Sequence, residues 1–328
     1  AAGIAVPRPT QVCPLISFEQ APLIDGSLDD EVWKTAPEMT PFWLRDGSAT
    51  AAQQTSARAV CDGNTLYLAV KCAEQSVDKI TTKRIQRDAA GAWRDDSVEF
   101  FIAPDADEPE WFHLIVTAGG GTYDAKGEGS RHDFDMGLKH KVIIGPHSWT
   151  VEAAIALDSL SLGQAKPGHV MNFNVCRNRP GKPDGGELSC WSPTGLAFAN
   201  RDRFGDLVIG TFGAQQAEIH ARLARSLASA RRVHDQVDQK TFRTVEAEAV
   251  SLIGSSRQPI PDQQWQVVRD AMLDAERRLR MIALQPRGTV LWAPNTWAVP
   301  MPEDLPPTDD QDVEAIEVWG FANEFESR

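Results

Sequence analysis

Alternation of apolar and polar residues dominates the first two thirds of the chain. Between residues 15 and 212 short alternating runs recur between turn signals, and they occupy 65–72, 97–102, 111–117, 150–157, 170–177 and 207–210. In the second run Val98 and Phe100 take one face of the expected strand and Glu99 takes the other. Regular short strands over roughly 200 residues predict a mainly β fold, an antiparallel two-sheet β-sandwich of jelly-roll type.

The hydrophobic period changes after residue 213. From 214 to 284 apolar residues recur three and four positions apart, as in Ile219, Leu223 and Leu227, which is the spacing of one helix face. The turn-forming stretch 254–259 interrupts this pattern, and Asp262 can cap a further helix. We predict an α-helical region of about three helices, which pack on one another or lie on the sandwich.

These patterns divide the chain into four parts. They are an N-terminal extension (1–17), the sandwich (18–212), a helical appendage (213–286), and a strand with a Pro- and Asp-rich linker (287–328). A strand-like pattern starts again at 313–326, so we expect a further domain to follow in a longer protein. The alternative is that this stretch adds a strand to the edge of the sandwich.

The charge balance excludes several classes of partner. The chain has 33 basic and 46 acidic residues and a net charge of −13, with no basic stripe to displace counterions from nucleic acid. No apolar run approaches the roughly 20 residues that span a bilayer, so we expect a soluble protein without membrane insertion. Ten tryptophans against two tyrosines suit sugar stacking, although tryptophan is also a common core residue.

The cysteines and the start of the chain bear on its compartment. None of the five cysteines has the spacing of a metal site. Cys61 and Cys72 flank one turn, and Cys176 and Cys190 flank another, so each pair either forms a disulfide or consists of buried free thiols. The small residues at the start resemble the end left by leader cleavage, which predicts a secreted, periplasmic or cell-surface protein.

A candidate binding motif lies at 91–102, where Trp93 follows a small-residue turn and precedes a strand that carries Glu99. An indole ring stacks on the apolar face of a pyranose, and a carboxylate accepts hydrogen bonds from hydroxyl groups. The motif therefore favours sugar capture. The alternative interpretation is that Trp93 is a core aromatic.

Four segments in a fixed order resemble one known family. They are IDGSLDDEVW at 24–33, DGNTLY at 62–67, WRDDSVEFF at 93–101 and WTVEAAI at 149–155, closed by RFGDL at 203–207. Together they are similar to carbohydrate-binding module family 9, which is related to the DOMON sandwiches, and the similarity covers approximately 18–211. The resemblance implies a β-sandwich that binds oligo- or polysaccharide and carries out no reaction.

The resemblance also implies site residues. Two tryptophans clamp a terminal sugar in the family; here Trp93 stands at the first position and Phe198 at the second, so stacking is expected at reduced strength. Glu99 corresponds to the family's carboxylate, and His113 falls near its basic residue on the next strand. Arg177 lies on a later strand and is expected either to reach the same concave face, where a guanidinium suits hydroxyls or a uronate, or to pair with a surface acid.

Related modules hold structural calcium, which takes several carboxylate and carbonyl oxygens. Glu74, Asp95 and Asp96 are the candidate ligands, because Glu74 ends the strand expected to neighbour the Trp93 loop. The alternative is that these are solvated acids. Structural Ca²⁺ is the one cofactor that the resemblance implies.

Catalysis by this chain is not expected. Asp96 and Glu99 are three residues apart on an expected strand, so they point to opposite faces and cannot flank one cleft as a glycosidase pair does. The sequence contains no G-x-S-x-G, HExxH or P-loop motif. We predict a non-catalytic module that targets an appended, downstream glycoside hydrolase to polysaccharide.

Two other functions stay open. A haem-binding DOMON-type electron carrier needs axial ligands, for which Met136 with His113, His132 or His140 are the candidates. The sandwich can also be an accessory scaffold of a glycoside hydrolase that binds no sugar.

Overall fold

The structure is a computed structural model that describes residues 4, 6–106, 110–127, 134–256 and 258–284. The chain divides into two compact units, Ala1–Glu218 and Ile219–Arg328. Each unit is described by itself below.

The first unit contains two β-sheets. Its strands are β1 (Thr10–Cys13), β2 (Trp43–Leu44), β3 (Thr55–Cys61), β4 (Thr65–Ala73), β5 (Ser97–Ala103), β6 (Phe112–Thr117), β7 (Thr122–Lys126), β8 (Lys139–Ile144), β9 (Ser148–Ala156), β10 (Val170–Arg179), β11 (Glu187–Cys190) and β12 (Gly205–Ile209). One sheet has the order β1-β12-β10-β5-β6-β7, with β11 beside β10 and β2 beside β11; the other has the order β3-β4-β9-β8. A five-residue helix, α1 (Glu31–Thr35), precedes β2.

The predicted β-sandwich followed by helices is confirmed. The strand pairing departs from the prediction at one edge, where β1 runs parallel to β12 and Val12 lies opposite Val208. The sequence pattern predicted that residues 10–13 belong to an N-terminal extension. A four-residue strand carries too little alternation to be recognised alone, and it is the pairing with β12 that defines it.

The core fills the space between the sheets. On β5 the inward residues are Val98, Phe100 and Ile102, which are fully buried. They pack with apolar residues of the smaller sheet, such as Leu68 on β4 and Val151 on β9. Because strand side chains alternate, the residues between them on β5 form the opposite surface of the larger sheet, which we call the outer face.

A buried ion network ties the two sheets together. Arg179 of β10 donates to both carboxylate oxygens of Glu74, from Nε to Oε2 at 2.8 Å and from Nη2 to Oε1 at 3.0 Å. Arg177 adds a third bond, from Nη2 to Oε2 at 3.2 Å, and its Nη1 donates to the carbonyl of Gln53 at 3.2 Å. Burial acts to raise the pKa of the Glu74 carboxyl, but the bonds from Arg179 and from the Ser76 N–H, with the two positive charges, hold that pKa below its usual value.

The cysteines are buried free thiols. Cys61 and Cys72 lie at opposite ends of the β3–β4 hairpin, because Cys61 is opposite Leu66 and Cys72 is opposite Thr55. Six residues of strand separate the two by about 20 Å, far beyond the reach of a disulfide. A disulfide between Cys61 and Cys72 is therefore excluded. Cys176 and Cys190 lie directly opposite each other on β10 and β11, and both are free thiols.

The described part of the second unit, up to residue 284, is helical. Its helices are α2 (Phe212–Arg232), which begins in the first unit, α3 (Gln239–Ser255) and α4 (Asp262–Leu284). The predicted apolar stripes are buried, for example Leu223 on α2 and Leu279 on α4. Asp238 caps α3 by accepting a hydrogen bond from the Thr241 N–H at 2.8 Å. Among the described helices, none is long and apolar enough to cross a membrane.

Replacement of Glu74 should be strongly destabilising. Glu74→Gln leaves the buried Arg177 without a counter-charge and Arg179 with only the half-exposed Asp184, so we expect a loss of about 3–5 kcal/mol at pH 7 by urea unfolding. Since the folded-state pKa of Glu74 is lowered, its contribution is complete above the unfolded pKa and is lost as the pH falls through the folded pKa. The difference in unfolding free energy between the wild type and Glu74→Gln should therefore become smaller below about pH 4.

Glu31→Gln is the matched control for this variant, because Glu31 forms an exposed pair with Lys34 and should cost less than about 1 kcal/mol. Equal effects of the two substitutions would contradict the stabilising role of the buried network.

A thiol titration tests the state of the cysteines. Burial raises the pKa of the Cys61 and Cys72 thiols to about 11, so native protein should react slowly with a thiol reagent at pH 8. Unfolding in denaturant without reductant should release five reactive thiols per chain. A count of three would show that one pair of cysteines is joined, and Cys176 and Cys190 are the pair that lie directly opposite each other on neighbouring strands.

Candidate functional site

One row of directly opposed residues crosses the outer face at right angles to the strands. From β2 to β7 the row consists of Trp43, Cys190, Cys176, Glu99, Ile115 and Tyr123. The outer face therefore carries aromatic rings at both ends of this row and a carboxylate near its centre.

Glu99 is the centre of a pre-formed polar cluster. His113 Nε2 lies 2.6 Å from Glu99 Oε2, and Asn178 Nδ2 donates to Glu99 Oε1 at 2.6 Å. Asn178 also donates to Ser97 Oγ at 3.1 Å. Because the carboxylate can only accept, the neutral histidine carries its proton on Nε2. Both oxygens of Glu99 are thus fixed before any ligand arrives.

Aromatic neighbours fix the orientation of His113. Its ring lies parallel to that of Phe101, with centroids 4.4 Å apart and an interplanar angle of 11°. Tyr123 approaches it edge-on with centroids 5.6 Å apart. Trp111 and Phe204 extend this group through contacts with Phe101. Phe101 and Phe204 are buried and Trp111 is partly exposed, so the rings pack beside the Glu99 cluster and support it.

Trp93 lies on the turn that precedes β5 and is exposed. It occupies the 3₁₀ turn Ala92–Arg94, which packs on β5 and β6, and Gly91 enters that turn with φ 75°, a conformation that favours glycine. The side chain is 49% exposed, whereas Trp33, Trp149 and Trp191 are buried. The interpretation of Trp93 as a core aromatic is therefore excluded.

Phe198 is on the same face but is not the exposed ring that was expected. It is only 9% exposed and packs with Phe101, Cys176 and Phe204. Arg45 covers the ring, with Cζ 5.8 Å from its centroid. Among the described residues no ring contact joins Phe198 to Trp93. The prediction of two open rings that face each other is wrong at the second position, because the Arg45 guanidinium covers Phe198.

Arg177 does not reach the outer face. Cys176 is opposite Glu99, so the next residue along β10 points inward, opposite Val98. Its side chain is 1% exposed and bonds Glu74 in the network described above. The prediction that Arg177 contacts sugar on this face is wrong, and the residue that supplies an outer-face amide is Asn178.

The three proposed calcium ligands do not form one site. Glu74 binds the two arginines described above, Asp95 Oδ1 accepts from Arg84 Nη1 at 2.6 Å, and Asp96 Oδ2 accepts from Lys182 Nζ at 2.8 Å. Each carboxylate is already neutralised by a cationic side chain. Within the described ranges no group of three or more His, Cys, Asp and Glu residues is arranged to hold a metal ion. The assignment of calcium to Glu74, Asp95 and Asp96 is wrong, and calcium binding stays a prediction without a site.

Met136 and His113, one pair of proposed haem ligands, lie on different sides of the larger sheet. Met136 is buried in the core between the sheets, whereas His113 lies on the outer face. His140 Nε2 is 2.9 Å from the carbonyl oxygen of Gly120, and His132 lies outside the described residues. Met136 and His113 therefore do not line a common haem pocket.

Sequence reasoning missed Trp43, Arg45 and Asn178. Trp43 belongs to a two-residue strand, which is too short to show a period. Asn178 lies one position beyond the predicted strand 170–177. If the predicted strand is extended by one residue, the alternation of side chains places Asn178 on the face that points away from the core, as Glu99 does on β5. No local signal identifies Trp43 or Arg45.

Comparison with known families identifies this type of sandwich. A family model described as "Carbohydrate family 9 binding domain-like" matches residues 24–211, more than half of the 328 residues. The chain belongs to this family, and the resemblance inferred from its motifs is confirmed. No curated protein matches the chain.

Three solved structures are similar to the chain. One is a proposed carbohydrate-binding protein from Bacteroides uniformis ATCC 8492, with 17% identity, a TM-score of 0.48 and coverage of 62% of this chain and 100% of that one. Another is a carbohydrate-binding module family 9 from Caldicellulosiruptor kristjanssonii in complex with cellotriose, with 19% identity, a TM-score of 0.45 and coverage of 61% and 93%. The same module in complex with glucose has 19% identity, a TM-score of 0.44 and coverage of 62% and 96%.

The contact between Asn178 and Glu99 leads to a prediction about how the stability of a variant depends on pH. Asn178→Asp places a second carboxyl next to Glu99, and two carboxylates at this distance cannot both ionise without a penalty, so one pKa of the pair is raised. The variant should lose stability at pH 7 and recover it as the pH falls through that raised pKa. Thermal unfolding at pH 7 and pH 5 measures the difference.

Asn178→Ala is the control for this variant. It removes the hydrogen bond without adding charge, so it should cost about 1–3 kcal/mol with little change between the two pH values. A loss of stability in Asn178→Asp that is the same at pH 7 and pH 5 would contradict the placement of Asn178 against Glu99.

Proposed function

We propose that the outer face of the larger sheet binds carbohydrate and carries out no reaction. The observation that carries the proposal is the half-exposed Trp93 on the turn that leads into β5, the strand that carries Glu99 with its fixed partners His113 and Asn178. Family membership supports the same conclusion. An open indole stacks on the apolar face of a pyranose, and the neighbouring polar groups accept or donate hydroxyl hydrogen bonds.

The polar cluster suits binding because its geometry is fixed in advance. His113 retains 19% of its side-chain exposure and Glu99 retains 6%, so a ligand reaches mainly the His113 edge of the cluster. Groups that are already held by hydrogen bonds lose little conformational entropy on binding. Trp93 supplies most of the open contact area, and the cluster orients the hydroxyl groups.

The contacts of Asp96 argue against glycosidase chemistry at this face. A glycosidase needs two carboxylates that flank the scissile bond. Asp96, the nearest acid to Glu99 along β5, is fully buried and bound to Lys182 Nζ and to the Thr81 N–H. It is not free to act as the acid or base partner of Glu99, so the proposal is a binding module.

The proposal extends to targeting. A module that holds a polysaccharide raises the effective concentration of a catalytic domain attached to it. We propose that the attached catalytic domain is a glycoside hydrolase and that the protein is secreted, periplasmic or on the cell surface. The sequence pattern at 313–326 supports a further domain, and it lies outside the described residues.

Removal of the indole tests sugar binding. Trp93→Ala should weaken affinity at least tenfold, because a stacked ring that loses water on binding contributes roughly 1–3 kcal/mol, while the melting temperature should change little because the side chain is half exposed. Titration calorimetry with cellotriose, glucose and xylo-oligosaccharides measures the effect.

Phe18→Ala is the matched control for Trp93→Ala. Phe18 is 78% exposed and follows Ile16, which packs on the smaller sheet, so its loss should leave affinity unchanged. Equal affinity of the wild type and Trp93→Ala for every bound sugar would exclude stacking at Trp93. Absence of binding to a broad glycan array would favour a scaffold without a sugar site.

A further inference from the structure

Arg45 is held rigidly over the aromatic part of the outer face. Its backbone N–H donates to the Leu188 carbonyl at 2.9 Å, and its own carbonyl accepts from the N–H groups of Thr194 and Gly195 at 3.0 and 2.9 Å. Arg45 lies in the turn after β2, and its guanidinium lies over Phe198, which packs with Cys176 of the outer face. The Arg45 side chain therefore belongs to the same surface as Glu99.

The guanidinium of Arg45 is oriented, and its outer donors are unused. Nε donates to the Gly195 carbonyl at 3.1 Å, and Cζ lies 5.8 Å from the centroid of Phe198. These two contacts fix the plane of the guanidinium. Among the described residues no oxygen accepts a hydrogen bond from Nη1 or Nη2, and no carboxylate forms an ion pair with this side chain.

Several other arginines of the first unit are paired with a carboxylate. Arg84, Arg179 and Arg58 each contact a carboxylate, at 2.6, 2.8 and 2.9 Å. Glu99, the carboxylate at the centre of the outer face, already accepts from His113 and Asn178. A half-buried guanidinium without an anion has lost part of its hydration and gains most from an anion that arrives with a ligand.

The chemistry of the unused donors selects a class of ligand. The two Nη groups of a guanidinium form a planar fork that matches the two oxygens of a carboxylate. On a sugar, that group is the C6 carboxylate of a uronic acid. Stacking of the guanidinium on Phe198 leaves the fork free while it keeps the cation in place.

We infer that Arg45 is a specificity residue of the outer face and that the preferred ligands are glycans that contain uronic acid. The inference rests on the proposed sugar-binding function and narrows it to one class of ligand. Trp93 supplies the stacking surface, and Arg45 binds the carboxylate. The preference should weaken with salt, because the ion pair forms at a partly exposed site.

The test compares pairs of ligands that differ only at C6. Methyl β-D-glucuronide is measured against methyl β-D-glucoside, and methyl galacturonide against methyl galactoside, by titration calorimetry with the full chain at pH 7 and at low and high salt. We expect each uronide to bind about tenfold more tightly than its neutral counterpart, as for one charge-assisted bidentate contact. Arg45→Gln should abolish the preference, and Arg45→Lys should retain part of it.

Arg58→Gln is the matched control, because it removes the same charge from the smaller sheet, where Arg58 pairs with Glu38. It should leave the preference intact, and unchanged melting temperatures would show that the variants are folded. The role of Arg45 is overturned if the wild type binds uronides and neutral sugars equally, or if Arg45→Gln keeps the preference for uronides. In either case the proposal that sugar binding depends on Trp93 still stands. Absence of binding to all four ligands and to a glycan array overturns both.

Discussion

The register between β10 and β5 is the constraint on which the site depends. Cys176 lies opposite Glu99, and Arg177 lies opposite Val98, so a single step along β10 moves a side chain from the outer face to the space between the sheets. Asn178 is thereby brought to Glu99, and Arg177 is brought to Glu74. One register thus supplies both the outer polar cluster and the buried ion network.

The two groups of charges have different physical roles. Between the sheets, Glu74 is bonded on both oxygens by arginines, and such a network holds two strands of different sheets in one arrangement because each charge is costly without its partner. On the outer face Glu99 is bonded on both oxygens, by His113 and Asn178, and His113 keeps part of its side chain exposed. Arg45 belongs to neither group, since its charge lies over a ring and not against an acid.

Periodicity determined a large part of the fold. The alternation of Val98, Phe100 and Ile102 with Glu99 and Phe101 predicted which residues enter the core, and the structure buries the first three in the core between the sheets. The spacing of Ile219, Leu223 and Leu227 likewise predicted α2. These predictions succeed because the side-chain direction in a strand or helix follows from the local backbone alone. Trp93 and Glu99 could be chosen as site residues for the same reason.

The sequence by itself therefore determined the type of each long element, the faces of the main strands, the family, and a tryptophan placed next to a carboxylate. Only the tertiary structure decided which distant groups meet. Glu74 and Arg179 are 105 residues apart along the chain, and Arg45 covers Phe198 from the turn that follows a strand of two residues. Such contacts depend on strand order and register across the sheets. No local pattern encodes that order, which is why Arg177, Phe198 and the calcium ligands were misplaced.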